Sequence, residues 1–217
     1  MENPINSYWK ARLSIVRKNL ESNNFDVFMA ENLDEAKTII LEKIIPDNSA
    51  KSVSWGGSMT LSGTGLVEEF RRNRQLDTFD PFDKTLLPEE AAQARRSGMT
   101  ADLFFTGTNA LTESGQLVNL DMTGNRVGAI AYGPKHVVVL LGRNKIVADI
   151  EKAIHRIKNF AAPANAMRLK KKTPCVQTSR CEECKSPDRI CNTWTITEKS
   201  FPKGRIKVIL INESLGL

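Results

Sequence analysis

Histidine occurs only twice in the 217 residues, and cysteine only four times. Neither His136 nor His155 has a sequence neighbour that marks a nucleophile–base pair, so a serine- or cysteine-hydrolase system is not expected. No apolar run approaches the roughly 20 residues that span a bilayer. The stretch MENPINSYWKARL lacks the continuous apolar core of a signal peptide. A soluble cytoplasmic protein without a membrane span is therefore the expectation. There is no Walker motif, no full GxGxxG, no nucleic-acid recognition motif, no internal repeat and no low-complexity tract.

What is present suffices for a folded core. Hydrophobic residues make up 41% of the chain, enough for one large domain or for a domain with a small appendage. The net charge is +6 and the pI about 9.2, which suits an anionic small molecule. The basic residues are scattered, so nucleic-acid binding is not expected. The one dense basic run, 168–172, reads as the solvated surface of a linker.

Apolar residues at Ile5, Trp9, Leu13, Val16 and Leu20 predict a helix over 4–22. A short strand over 25–30 follows. Asn32 then caps a second helix, with Glu35 as capping-box partner, running to about Ile45 and stopping before Pro46. A strand over 51–55 leads through Gly56-Gly57-Ser58 into a helix reaching about Arg72, capped by Ser58 or Thr60. Residues 77–88 read as irregular, and Pro88-Glu89-Glu90 opens a helix to about Ser97. This alternation predicts an α/β domain with a largely parallel sheet. From 103 to 145 come short apolar runs at 103–106, 117–121, 127–131 and 137–141, separated by Gly, Asn, Ser and Pro. They read as consecutive strands of a meander. A long amphipathic helix is expected over 144–160, and 205–211 reads as a buried closing strand.

Three constellations can carry chemistry. At Gly56-Gly57-Ser58, glycines permit close approach of a ligand to backbone N–H groups at a helix start; a tight strand-to-helix turn with a serine cap explains the same residues. The second comprises Thr106, Gly107, Thr108 and Asn109 with the turn Thr112-Glu113-Ser114-Gly115. Open α/β sheets place ligands at such strand ends, and Glu113 there can act as base or nucleophile or be an exposed hairpin acid. Asp121 reads as serving the turn before Gly124. The third is Cys175, Cys181, Cys184 and Cys191, spaced C-x5-C-x2-C-x6-C, which hold all the cysteines of the chain. Structural disulfides are not the rule in a cytoplasmic protein. Four thiolates with a C-x2-C pair suit a 4Fe–4S cluster or, alternatively, a tetrahedral zinc, although the spacing matches neither the common finger nor the bacterial ferredoxin run.

WGGSMT at 55–60, FTGTNALTESGQLVNLDMTGNRVGAIAYGPKHVVVLLGRNKIV at 105–147 and PCVQTSRCEECKSPDRICN at 174–192 resemble the LUD (lactate utilisation) domain family, that of LutC- and YkgG-like proteins. The resemblance implies a NagB/RpiA/CoA-transferase-like fold, a Rossmann-type α/β sheet with an antiparallel meander. Residues 1–165 and 204–217 would form that domain, with the cysteine-bearing segment 166–203 inserted before the last strand. It further implies a subunit or accessory of a system oxidising lactate to pyruvate, beside iron–sulfur and oxidoreductase partner subunits. The fold analogy also compares Glu113-Ser114-Gly115 with the acyl-carrying glutamate turn of CoA-transferases, giving the alternative of an anionic-ligand-binding or transferase-like enzyme with a structural zinc segment.

Overall fold

The strand Ile206–Ile211 is buried at every position, as befits a parallel strand covered on both faces. Around it a computed structural model describes residues 3–217. In chain order the elements begin α1 (Pro4–Ser22), β1 (Asp26–Ala30), α2 (Leu33–Ile39), a π turn (Ile40–Ile44), α3 (Ile45–Asp47) and β2 (Ser52–Trp55). Next come α4 (Met59–Gly63), α5 (Leu66–Arg72), β3 (Asp77–Phe79), α6 (Pro88–Ser97), β4 (Leu103–Gly107), β5 (Ala110–Thr112) and β6 (Leu117–Asp121). The chain continues through α7 (Asn125–Ala131), β7 (His136–Gly142), β8 (Ile146–Val147) and α8 (Ile150–Arg156), which runs through a second π turn (Ile157–Ala161) into α9 (Ala162–Arg168). It closes with α10 (Cys175–Thr178), β9 (Thr193–Thr197) and β10 (Ile206–Ile211).

Six strands form a parallel sheet in the order β1-β10-β7-β4-β2-β3. Alternate residues of its strands face opposite layers. Trp55, Phe105, Leu140 and Ile209 pack with Ile40, Ile44, Leu61 and Phe70 on one side. Val139, Leu141, Val208 and Leu210 pack with Leu13, Val16 and Leu20 of α1 on the other, so the three- and four-residue spacing of α1 is its buried face. A second sheet, β8-β5-β6-β9, lies against α8 through Ala110, Val118, Ala153 and Ile157. No helix among the described residues is long and apolar enough to cross a membrane.

The mixed α/β architecture with a largely parallel sheet agrees with the sequence reading, but the 103–145 stretch is not one meander. Strands β4 and β7 are parallel neighbours in the large sheet. The antiparallel part is the β5–β6 hairpin, with β9 added to its far edge. The run 127–131 is helix, not strand. Gly124, at φ 90°, starts α7, and Val127 and Ile130 fall three apart on its buried face. The Arg205 guanidinium then donates to the terminal carbonyls of Ala129 and Ile130 at 2.9 and 2.7 Å, which a strand could not present together.

Other boundaries shift as well. The helix expected from 144 begins only at Ile150, because Asp149 caps it by accepting from Lys152 N at 2.7 Å. The second helix does not stop before Pro46; a π turn carries it into α3 with Pro46 at its start. The helix after Ser58 breaks at Thr64-Gly65, where Gly65 takes φ 70°. Residues 77–79 are the edge strand β3 rather than irregular chain.

Asp102, just before β4, ties that strand to β2. One carboxylate oxygen accepts from Lys51 N, Ser52 N and Ser52 Oγ at 2.9, 3.0 and 3.1 Å, and the other from Lys135 Nζ at 2.6 Å. Lys135, with the backbone and hydroxyl donors, holds this carboxyl down at about 2. Its folded pKa lies below the unfolded value of roughly 3.9, so its contribution is complete above that value and is lost as pH falls towards 2. Urea unfolding between pH 6 and 2.5 is expected to show a steep acid loss of stability that Asp102→Asn flattens; an unchanged slope in the variant would remove Asp102 from this role.

Candidate functional site

The C-terminal ends of β2, β4 and β7 open into the turns at 56–58, 107–109 and 142–145, the edge where open α/β sheets bind ligands. Here lies a cleft of about 230 Å³. Its wall includes Gly57, Ser58, Gly107, Thr108 and Asn109 from the sequence-predicted set, brought together from two separate stretches. Ser58 caps α4 by accepting from Leu61 N at 3.2 Å. Gly56, Thr106 and Glu113 are not among the lining residues. Thr106 is fully buried. Glu113 instead pairs with Arg12 of α1 at 2.6 Å, while its carbonyl accepts from Asn19 Nδ2 at 2.7 Å.

The glycine at 56 makes room for a side chain of the protein itself. A Cβ there would lie 2.4 Å from Arg126 Cγ. Arg126 is held on all sides: Nε bonds Asp121 Oδ1 at 3.1 Å, and Nη2 bonds Leu120 O at 3.0 Å and Asn109 Oδ1 at 3.2 Å. Its Nη1 reaches Gly107 O at 3.4 Å. Asn109 Oδ1 also accepts from Leu120 N, and Arg156 Nη1 donates to Asn109 O at 2.7 Å. Gly107 is equally constrained, since a Cβ would meet Ser58 Oγ at 2.7 Å.

The electrostatics are strongly one-sided. Arg95, Arg126, Lys145 and Arg168 line the cleft, and the one acidic side chain in its wall, Asp121, is already bonded to Arg126. Lys145 is 4% exposed; Nζ donates to Thr108 O at 3.2 Å and Thr60 Oγ1 at 3.4 Å. Among the described residues no carboxylate pairs with it. Burial, with Arg156 and Arg126 as like-charged neighbours, pushes its pKa down to about 7. Gly216 lies beside this amine, since a Cβ there would come within 3.3 Å of Nζ, and Leu215 N donates to Asn144 Oδ1 at 2.9 Å. Lys145, Arg126 and Arg95 carry no sequence signal of a site, and the sequence places Arg168 on a linker surface.

The four cysteines are free thiols, and all of them line a second pocket of about 20 Å³. It shares Ala162, Ile190 and Cys191 with the cleft wall. Arg189 shapes the loop by donating to Cys191 O at 2.7 Å and Cys184 O at 2.8 Å. Cys181 N bonds Lys158 O at 3.1 Å, and Lys158 pairs with Glu183. Asn192 N bonds Asp121 O at 3.0 Å, which joins the segment to β6. Burial, with the other thiols as neighbours, raises Cys191 to about 11. Among the described residues no three Cys, His, Asp or Glu side chains stand as a ready cage for a metal ion. The donor chemistry nonetheless fits a thiophilic centre, because four thiols from one segment line one small space, beside Thr173, Glu182 and Arg189. His136 and His155 line neither pocket.

The sequence profile of the LUD domain matches residues 13–211. The crystal structure of a DUF162 family protein from Deinococcus radiodurans is similar at TM-score 0.52 and 13% identity, covering 94% of this chain and 98% of that one. At that identity the likeness shows the fold alone. Structural similarity to eIF2B delta from Chaetomium thermophilum reaches only TM-score 0.28, at 16% identity over 66% of this chain and 50% of that one, too low to inform the fold. No curated protein matches the sequence.

Replacing Gly56 tests whether Arg126 is as tightly held as its bonds indicate. Gly56→Ala is expected to lower the unfolding free energy by about 1–3 kcal/mol in urea, the cost of overpacking a site that cannot yield. Wild-type stability in this variant would mean that Arg126 moves aside freely.

Proposed function

The chain belongs to the LUD domain family, and from that premise we propose that it is a subunit of a lactate-oxidising system, pairing an anion-binding cleft with a thiolate centre. The observation that carries this reading is the shared wall: Cys191 lines both the cleft and the pocket of the four thiols. Whatever the thiols hold would therefore adjoin a small molecule in the cleft. A 4Fe–4S cluster, when bound, supplies one-electron transfer; zinc would supply only a structural staple.

The roles of the chain's own residues follow from their chemistry. Cys175, Cys181, Cys184 and Cys191 are the ligands, soft donors suited to iron–sulfur or zinc. Arg189 fixes the carbonyls of Cys184 and Cys191 and so sets the path of the loop. The backbone bond from Cys181 to Lys158 anchors the loop to the helical layer. Ser58, Asn109, Arg126 and Lys145 set the polar wall of the cleft, which draws a small anion such as a 2-hydroxy or 2-oxo carboxylate. Electrons would pass to partner iron–sulfur and oxidoreductase subunits. Glu113, paired with Arg12, takes no part in this reading.

Metal and acid-labile sulfide analysis after anaerobic purification tests the thiolate centre. About four irons and four sulfides per chain are expected, with absorption near about 400 nm, all lost in Cys184→Ser. About one zinc and no sulfide would overturn the cluster in favour of a structural site.

A further inference from the structure

Lys145 is the least explained charge in the molecule. Burying an ammonium without a counter-ion is costly, and such groups are kept when something else compensates. Here the protein supplies one carbonyl and one hydroxyl, from Thr108 and Thr60. An ammonium has three donors, so one remains for a ligand. The charged groups nearest to it, Arg126 and Arg156, are like-charged and are spent on the Asn109 and Asp121 network. Leu217 also lines the cleft. A small cleft with three fixed cations and a fourth that loses its charge easily has a specific consequence for what it binds.

Resting on the cleft as an anion site, we propose that Lys145 is its ligand-contacting cation and that a small carboxylate or phosphate-like anion binds there together with one proton, taken up by the Lys145 amine. Without the anion, burial first and then Arg156 and Arg126 disfavour the ammonium. The anion supplies the missing counter-charge and draws the proton on. No bond to carbon forms or breaks; a proton moves from solvent to Nζ and an anion enters, so the charges of the two cancel. Ordinary anion sites built of arginine alone lack this coupling, because guanidinium stays charged throughout the physiological range. The pKa of about 7 places the coupling between pH 6 and 8. Above that value the affinity for the anion falls about tenfold per pH unit, and below it the affinity levels off.

Isothermal titration of the full chain with L-lactate, pyruvate and sulfate, none of which titrates between pH 6 and 8, tests this. Runs at pH 6 and 8 in buffers of different ionisation enthalpy count protons. The expected result is uptake of about one proton per anion at pH 8 and much less at pH 6 for whichever probe binds. A carboxylate preference identifies an organic acid ligand, and a sulfate preference identifies a phosphate-like one. Lys145→Arg is expected to bind without pH dependence, and Lys145→Met to lose at least tenfold in affinity at pH 6 with its thermal transition intact. Binding by the wild type without proton uptake overturns the role of Lys145 while the anion site stands, and that result holds whether or not either variant folds. No binding of any probe at millimolar concentration overturns the anion site and this proposal with it. Neither outcome touches the metal content of the cysteine pocket.

Discussion

The Arg126 guanidinium holds the two sheets together at the edge that carries the cleft. It reaches Gly107 at the end of β4, Asn109 in the following turn, and Leu120 and Asp121 at the end of β6. With 11% of its side chain exposed, it and Asp121 form a largely buried pair, whose worth depends on having every donor matched. The demand extends outward. Gly56 must lack a side chain to admit the arginine stem, and Gly107 must lack one to admit Ser58. The glycines of the strand ends serve the packing of the protein's own groups, and the cleft is what remains beside them.

That arrangement leaves an excess of positive charge with nowhere to go. Asp121 is consumed by Arg126, and the carbonyls of Asn109 and Asn144 are taken by Arg156. Lys145 receives only neutral acceptors. In a partly enclosed space such charges repel more strongly than on the surface. The fold stores this unfavourable electrostatics at the C-terminal edge of the sheet, which is what the proposed anion would relieve. The cysteine segment lines part of the same cleft, joined to β6 through Asn192 and to the helical layer through Cys181.

Much of this was legible in the residues, and the exceptions have physical reasons. The buried stripe of α1, the caps at Asn32 and Ser58, and the strand at the end of the chain follow from spacing and local hydrogen bonding. The concentration of all cysteines in one segment suggests a metal centre, and the structure gathers the four thiols around one small pocket. The run 127–131 misled because its five residues are too short to separate period 3.6 from period 2, and Arg205, which caps it, lies far along the chain. Glu113 looked like a site residue because its turn is rich in small residues; its direction, towards Arg12, depends on where α1 packs. Lys145 was invisible for the converse reason. A lysine after a strand reads as surface, and only the tertiary contacts with Thr60 and Thr108 and the approach of Gly216 show it buried.

Cys191 is the common wall of the thiol pocket and the cationic cleft, which we propose act as one site. Electron paramagnetic resonance of the anaerobically purified, chemically reduced protein, recorded with and without saturating L-lactate or sulfate, addresses it most directly. The expected result is a cluster signal whose line shape changes when the anion is added. A protein without a cluster signal, or with one indifferent to a bound anion, would contradict it.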